Sequence, residues 1–406
     1  MTVADSKVEK AKKAAGSIGL VTPAGARPAV QAPSADEVWQ LPGGSARVYY
    51  AEGHRGVVRP VVLADGFDLG PTDHDRLWDG LEHGRFPFVS ELRRRGRTLV
   101  LVGFDERSDS ILRNAETVIA AVLRTVAEQL GDSRLLVGGF GMGGLVTRYA
   151  LARMETQRFD HRVGVHLSFD SPHRGAWIPI GLQAFAHHLA PYDDTYLRQI
   201  SSPAAQQMLW RHLDGVHGTP GESPLRTEFG ERLQQVGDWP RIPRLLAVSS
   251  GRGNGTGNGV RAGAKTLSCA GPLFDGTRFL AQARGQKTEV AVVNGVLGGP
   301  HPITTSGFPD LDGAPGGTLE SFGLLADTLA AAGEDTDVAH RSVCFVPSVS
   351  AVSIRDLDQQ DDLYADIGDL PPEESDVDDF LLSSKNEAHA LMTGELAEWI
   401  LDRLPN

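Results

Sequence analysis

The chain has 406 residues, a formal net charge of −13 and a hydrophobic fraction of 41%, so it is long enough to bury one large core. Its negative charge argues against a nucleic-acid partner, because the one dense basic run, from Arg93 to Arg97, lies at a predicted helix end. Cys269 and Cys344 are too few for a disulfide framework and lack the spacing of a zinc site, although they could still pair.

The N-terminal residues carry no apolar segment of the kind found in secretory signals. Residues 1–35 are rich in Ala, Lys, Pro and Gly, and we expect them to form a flexible tail. No stretch of 18 apolar residues follows, which predicts a protein without a transmembrane segment. We therefore expect a cytoplasmic location.

The next part of the chain alternates predicted strands and helices. Residues 36–57 are predicted to form an entry hairpin, and the first core strand runs from Val58 to Leu63, before the turn 64–68. A second strand, 98–104, precedes an amphipathic helix over 110–130 with one apolar face. Such βα alternation predicts a doubly wound, mostly parallel sheet, here of about eight strands.

A strand, a sharp turn and a helix are predicted within residues 136–149, which read LVGGFGMGGLVTRY. The segment from Gly139 to Gly143 matches the nucleophile pattern Gly-x-Ser-x-Gly except at its centre, where Gly141 stands in place of Ser. Glycine tolerates the positive φ of such a turn but supplies no hydroxyl to attack with. The spacing of Gly139, Gly141 and Gly144 also fits a dinucleotide loop. That interpretation is weaker, because at least two strands precede the motif and no strand ending in an acidic residue follows at the required distance.

The second half of the chain is predicted to insert a helical segment into the sheet. A strand over 163–169 is followed by mainly helical, aromatic-rich sequence over about 178–240, and another strand covers 244–249. A helical insertion at this place can cover a binding site. The acidic stretch 355–379 is interpreted as a solvated surface segment rather than a calcium site. An amphipathic helix over 395–404 ends the chain.

Several segments resemble one family. The runs GMGGLVTRYAL (141–151), SFDSPHRGAWIP (168–179), DGFD (65–68), FVPSVSA (345–351) and NEAH (386–389) are similar to those of the lipase-like α/β-hydrolase superfamily, over residues 58–404. The resemblance implies an α/β-hydrolase domain over 36–406 with a cap at about 178–240. It also implies a small-molecule or lipid-like acyl substrate, and the oligomeric state stays open. No motif in the sequence asks for a cofactor or a metal, so we expect neither.

The resemblance also assigns site residues. Gly141 occupies the nucleophile position, and His389 follows it as the base in the order nucleophile, acid, base. One oxyanion-hole amide is expected from Phe67 or Asp68 and the other from Met142. The acid is unresolved, because the run 343–347 lacks the carboxylate of the lipase pattern. Among several carboxylates, Asp312 is the first choice and Asp378 the second, while His173 is expected to hold its loop.

Three functional hypotheses follow. The chain is a serine esterase or lipase type whose nucleophile was replaced, so that serine-type hydrolysis is lost. Alternatively, the glycine is natural, and the site binds or cyclises a carbonyl-bearing metabolite, for example of polyketide type. In the third, the space left by the Ser side chain holds a water that His389 activates.

Overall fold

The computed structural model describes residues 3–20, 28–295 and 299–405, apart from the side chains of 3–6 and 372. Its helices are α1 (Val3–Ala15), α2 (His74–Glu82), α3 (Phe88–Arg94), α4 (Ile111–Glu128), α5 (Met142–Thr156), α6 (Ile180–Leu189), α7 (Thr195–Ser201), α8 (Pro203–Met208), α9 (Pro224–Gln235), α10 (Ser321–Ala331), α11 (Ser348–Ala351), α12 (Gln360–Leu363) and α13 (Gly394–Leu401). Its strands are β1 (Glu37–Leu41), β2 (Gly44–Tyr49), β3 (Val61–Ala64), β4 (Leu99–Phe104), β5 (Leu135–Phe140), β6 (Val163–Phe169), β7 (Arg244–Ser249), β8 (Lys265–Ala270), β9 (Arg278–Leu280), β10 (Thr288–Asn294), β11 (Pro300–Thr305), β12 (Gly316–Leu319), β13 (Asp335–Val338), β14 (Val343–Pro347) and β15 (Asp379–Leu382).

The central sheet has eight strands in the described residues, in the order β1-β2-β4-β3-β5-β6-β7-β15. Strands β1 and β2 pair antiparallel, as do β2 and β4, and every later neighbour in the sheet is parallel. This confirms the predicted α/β-hydrolase fold class, with its mostly parallel, doubly wound sheet. The carboxyl ends of β3, β5 and β6 therefore meet at one edge of the sheet.

The centre of this sheet is apolar on both faces. Strands β4 and β5 are buried along their whole length, as expected where helices cover both sides of a parallel sheet. Helix α4 starts at Ser110, whose hydroxyl accepts a hydrogen bond from the N–H of Leu112, and it packs against α5. The carboxyl end of β5, which leads into the sharp turn at residues 139–143 (the elbow), is thus part of this buried core.

Helices α6 to α9 lie between β6 and β7, where the sequence predicts a helical insertion. Helix α6 packs against a second sheet, ordered β11-β10-β9-β8-β13. The ring of Phe185 on this helix contacts Phe274 and Phe279 edge-on, at 5.3 and 5.6 Å between centroids. Strands β12 and β14 form a separate antiparallel pair, and Cys269 and Cys344 are both free, buried thiols.

The N-terminal segment differs from the flexible tail that its composition predicts. Residues 3–15 form a helix, and Ala11, Ala14, Ala15, Ile18 and Leu20 are buried, each at most 3% exposed. Ala11, Ala14, Ala15 and Ile18 have the i, i+3, i+4, i+7 spacing of one helix face, and Ile18 continues this face beyond the end of the helix. Alanines made this stripe too weakly hydrophobic to stand out in the sequence. Residues 1–2 and 21–27 of the predicted tail lie outside the described residues.

The acidic stretch 355–379 is more anchored than a solvated loop. It contains the short helix α12, and Leu357, Leu363, Ile367 and Val377 are each at most 3% exposed. Its acidic side chains are mostly exposed between these anchors. Among the described helices, none combines the length and apolar character needed to cross a bilayer.

Candidate active site

Gly141 lies at the apex of the turn between β5 and α5. Its φ of +52° and ψ of −114° are strained for any residue with a Cβ, at a cost of about 1–3 kcal/mol. A Cβ built on Gly141 would lie 2.7 Å from Nε2 of His389 and 3.2 Å from its Cε1. The imidazole therefore reaches into the volume that a serine side chain would need.

The partner of His389 is Asp170. Nδ1 of His389 and Oδ2 of Asp170 are 2.7 Å apart, and because a carboxylate only accepts, the hydrogen of this bond belongs to Nδ1. The lone pair of the neutral ring is then on Nε2, which faces Gly141. The His389 side chain is 16% exposed and that of Asp170 is fully buried.

Asp170 is held by further donors. Its Oδ1 accepts from the N–H of Ser250 at 2.9 Å, and its Oδ2 also accepts from the N–H of Ala390 at 3.3 Å. Gly317 packs so closely against the carboxylate that a Cβ there would overlap it. Asp170 itself has a φ of +50°, a conformation that Asp adopts more readily than most residues. These contacts fix the carboxylate and, through it, the plane of the imidazole.

The segment before His389 is anchored to two neighbouring elements. The N–H of His389 donates to the carbonyl of Thr318 on β12, at 2.8 Å, and the N–H of Glu387 donates to the carbonyl of Ser250. The ring of Phe345 contacts the imidazole edge-on, with centroids 4.8 Å apart and planes at 81°. His389 is therefore positioned from its backbone, its Nδ1 and its ring face.

The structure brings neither candidate for the acid into a hydrogen bond with His389 in the described residues. Asp312 is buried among other partners: its Oδ1 accepts from Nε1 of Trp177 at 2.7 Å and its Oδ2 from the N–H of Gln282. Burial raises the pKa of Asp312 to about 6. Asp378 instead accepts from the N–H of Leu245 at the start of β7. The carboxylate that reaches His389 is that of Asp170, directly after β6.

A sequence signal for Asp170 existed. It is the residue directly after β6, the strand beside the elbow strand β5, and it lies within the run SFDSPHRG that carries the family resemblance. Carboxyl ends of adjacent parallel strands meet at one edge, so this position was a candidate on topology alone. With Asp170 in the place of the acid, the order along the chain would still be nucleophile position, acid and base.

The two expected oxyanion donors lie at the same edge. Gly143, in the first turn of α5, packs against the carbonyls of Ala64 and Asp65 at the end of β3. Met142 is the first residue of α5, so its N–H has no partner inside the helix. In the described residues the N–H of Phe67 makes no hydrogen bond.

The turn that carries Phe67 is fixed on both sides. Oδ2 of Asp65 accepts from the hydroxyl of Thr72 at 2.8 Å, and the guanidinium of Arg107 lies 3.6 Å from carboxylate oxygens of both Asp65 and Asp68. Burial raises the pKa of Asp65, and the nearby Arg107 opposes this rise. The turn is thus pre-organised before any ligand is present, as a site that stabilises negative charge requires.

A small apolar cavity of about 20 Å³ lies beside the site, large enough for about one water molecule. Two residues of its wall adjoin the candidate site. Phe67 belongs to the turn 64–68, from which one oxyanion-hole amide is expected (the oxyanion turn), and the ring of Phe345 contacts that of His389. The remaining lining comes from the helical insertion and its entrance, and from one residue of the N-terminal segment: Ala176, Ile178, Gln199, Ile200, Ala205, Met208, Leu209 and Leu20.

His173 belongs to a buried polar group beneath α5. Its Nε2 is 2.9 Å from the hydroxyl of Ser168, and its ring packs against Trp239. The guanidinium of Arg148 lies 3.7 Å from the Trp239 ring. Burial and the Arg148 cation hold the pKa of His173 well below its usual range. His173 thus joins the loop after β6 to α5, in keeping with the expectation that it holds this loop.

No family model matches the chain, and no curated protein does. Solved structures that match include a lid-less α/β serine hydrolase from Xanthomonas campestris (21% identity, TM-score 0.26, 37% of this chain and 66% of that one). An esterase from Pyrobaculum calidifontis (15%, 0.33, 61% and 71%) and a lipase from Bacillus licheniformis (13%, 0.31, 53% and 73%) also match. The chain covers just under two thirds of the first of these proteins. At such identities and TM-scores the likeness concerns the fold alone, and the fold assignment rests on the topology given above.

Proposed function

We propose that the chain is a non-acylating α/β-hydrolase homologue in which His389, oriented by Asp170, acts as a general base on a small carbonyl compound. The observation that carries the proposal is the line from Asp170 through His389 to Gly141, with Nε2 of His389 2.7 Å from where a Cβ of residue 141 would be. The imidazole of His389 and the carboxylate of Asp170 meet beside the elbow, and Gly141, at the nucleophile position, carries no reactive group.

Serine-type hydrolysis has no nucleophile here. Gly141 has no side chain, and the hydroxyl of Thr147, farther along α5, donates to the carbonyl of Gly143 instead. The acyl-enzyme route needs a hydroxyl within hydrogen-bond reach of the base. We therefore expect no covalent labelling of the elbow by an organophosphonate.

Proton abstraction suits the groups that are present. Nε2 of His389 takes a proton from the carbon next to a carbonyl, and the electron pair of that C–H bond moves into the carbonyl system to form an enolate. The negative oxygen accepts hydrogen bonds from the N–H groups of Phe67 and Met142. Asp170 stabilises the imidazolium, which then returns the proton to carbon. Cyclisation of a longer substrate begins with the same enolate.

Activation of a water in the space of the missing serine side chain is less favoured. Nε2 of His389 already reaches into that volume, since a Cβ there would have to displace it. The His389 side chain is 16% exposed, and in the proposed reaction a proton-bearing carbon of the substrate approaches Nε2 from outside that volume. This geometry supports carbon deprotonation over water bound at Gly141.

The test uses 2-pentanone and ethyl butyrate as probes in D2O. NMR measures deuterium incorporation next to the ketone carbonyl and release of butyrate from the ester. We expect incorporation above the buffer rate, lowered about 10²- to 10⁴-fold in His389→Gln and unchanged in the control His54→Gln, whose histidine is exposed in the loop between β2 and β3. Butyrate release without incorporation would favour activated water. Equal rates in parent and His389→Gln would refute the proposal.

A further inference from the structure

The N-terminal segment reaches the cavity beside the candidate active site. Leu20 is 3% exposed and shares the lining of this cavity with Phe67 and Phe345. Phe67 belongs to the oxyanion turn, and the ring of Phe345 touches the imidazole of His389. A residue far from the elbow in sequence therefore fills apolar space next to the base.

The backbone around Leu20 is clamped by one side chain. The amide of Gln199 on α7 accepts from the N–H of Leu20 through Oε1, at 2.6 Å, and donates through Nε2 to the carbonyl of Ile18, at 2.8 Å. Gln199 is itself 5% exposed and lines the cavity. These two hydrogen bonds hold residues 18–20 against α7 of the helical insertion, as a side-chain amide holds the backbone of a bound peptide.

The anchor behind this clamp is modest. Among the α1 side chains that the structure describes, those of Ala11, Ala14 and Ala15 are buried, and an alanine removes far less apolar surface from water than a leucine. Helix α1 packs against α10. In residues 18–20 two large side chains, those of Ile18 and Leu20, are buried, so opening of this segment exposes far less apolar surface than opening of the core.

The cavity suits only an apolar occupant. Apart from the Gln199 amide, which the segment already uses, its lining consists of aliphatic and aromatic side chains, and its free volume of about 20 Å³ leaves no room for a ligand beside Leu20. With Leu20 withdrawn, the space would extend from the insertion towards Phe67 and Phe345. An unbranched alkyl chain placed there would present its functional end to His389.

We propose that residues 18–20 are an internal competitor for this cavity: Leu20 occupies the place of a ligand's short alkyl chain, and ligand binding requires its displacement. The assignment of His389 as the group that meets the ligand rests on the proposed function, but the competition for the cavity does not. The site would then be closed in the ligand-free protein and opened by the ligand's apolar part.

The test measures binding of 1-hexanol, an alkyl chain without a carbonyl, to the full-length protein by calorimetry. We expect Leu20→Ala to bind it about ten- to a hundredfold more tightly than the parent and Leu20→Trp to bind it more weakly. The matched control is Leu189→Ala, which removes the same atoms from a fully buried residue of the insertion that does not line the cavity. Equal tightening in this control, or no tightening in Leu20→Ala, would overturn the proposal.

Amide hydrogen exchange on the parent gives a second readout that needs no variant. Displacement of residues 18–20 breaks the bond from the N–H of Leu20 to Gln199, so saturating 1-hexanol should speed exchange at Leu20. A ligand that only stabilised the fold would slow it. If deuterium incorporation into 2-pentanone is absent even in Leu20→Ala while 1-hexanol still binds more tightly, the proposed function fails and the competition stands.

Discussion

Replacing Gly141 by Ala tests the contact between the elbow and His389. The new Cβ would meet Nε2 at 2.7 Å, so the ring must retreat by about 0.7 Å to reach 3.4 Å, the short end of ordinary contact. The ring cannot retreat freely, because Nδ1 is bonded to a buried Asp170 that is packed against Gly317. We expect a crowding cost of about 1–3 kcal/mol in addition to about 1–3 kcal/mol for the positive φ.

A double-mutant cycle separates the two costs. In the His389→Ala background the backbone cost of Gly141→Ala remains, whereas the crowding cost is absent. The free energies of unfolding from urea titrations of the four proteins should therefore show a coupling of about 1–3 kcal/mol. Gly53→Ala is the control for positive φ without crowding, since Gly53 has a φ of +75° and no atom within 4 Å of an added Cβ. A coupling near zero would refute the placement of His389 against Gly141.

Three further outcomes are expected. Gly141→Ser adds the same Cβ together with a hydroxyl, so this variant should hydrolyse ethyl butyrate faster than Gly141→Ala at similar stability. Equal hydrolysis rates would mean that the ring does not retreat to a hydrogen-bonding distance of about 2.6–3.2 Å between Nε2 of His389 and the new hydroxyl. Asp170→Asn should lower deuterium incorporation into 2-pentanone about 10²- to 10⁴-fold. Asp312→Asn should leave this incorporation unchanged. It should lower the free energy of unfolding by about 1–3 kcal/mol, because one of the two hydrogen bonds that Asp312 accepts is lost. Burial and Arg148 lower the pKa of His166 to about 3. Below about pH 6.5 the unfolded state therefore binds a proton at this histidine that the folded state does not bind. The free energy of unfolding should then fall by up to about 1.4 kcal/mol per pH unit through this group. Urea titrations between pH 7 and 4 should show a shallower decline in His166→Gln, and an unchanged slope would contradict this assignment.

The elements that the sequence predicts well are those whose signal is local. The strand 244–249 matches β7 at both ends, and α4 begins at Ile111, directly after the predicted start at Ser110. A continuous apolar run, a helical period and a capping serine act within a few residues of one another. The elbow was legible for the same reason, because a Gly-rich turn between a strand and a helix needs its residues in sequence.

Three features depend on residues that are distant in sequence. Asp170 could be assigned as the partner of His389 only once β6 was known to lie beside β5, because 219 positions separate the two residues. Asp312 was a reasonable choice by order along the chain, but a carboxylate pairs with whatever donor the fold brings near, and here that is Trp177. The N-terminal helix was missed because single alanines carry little hydrophobic signal until a surface is present to bury them.

The sequence by itself determined the fold class, the glycine at the apex of the elbow and His389 as the candidate base, since each depends on a local pattern. Only the tertiary structure decided that Asp170 bonds His389, that the imidazole reaches into the volume of a missing side chain, and that Leu20 lines the neighbouring cavity. These are distances between segments far apart along the chain, and such distances are set by how sheets and helices pack.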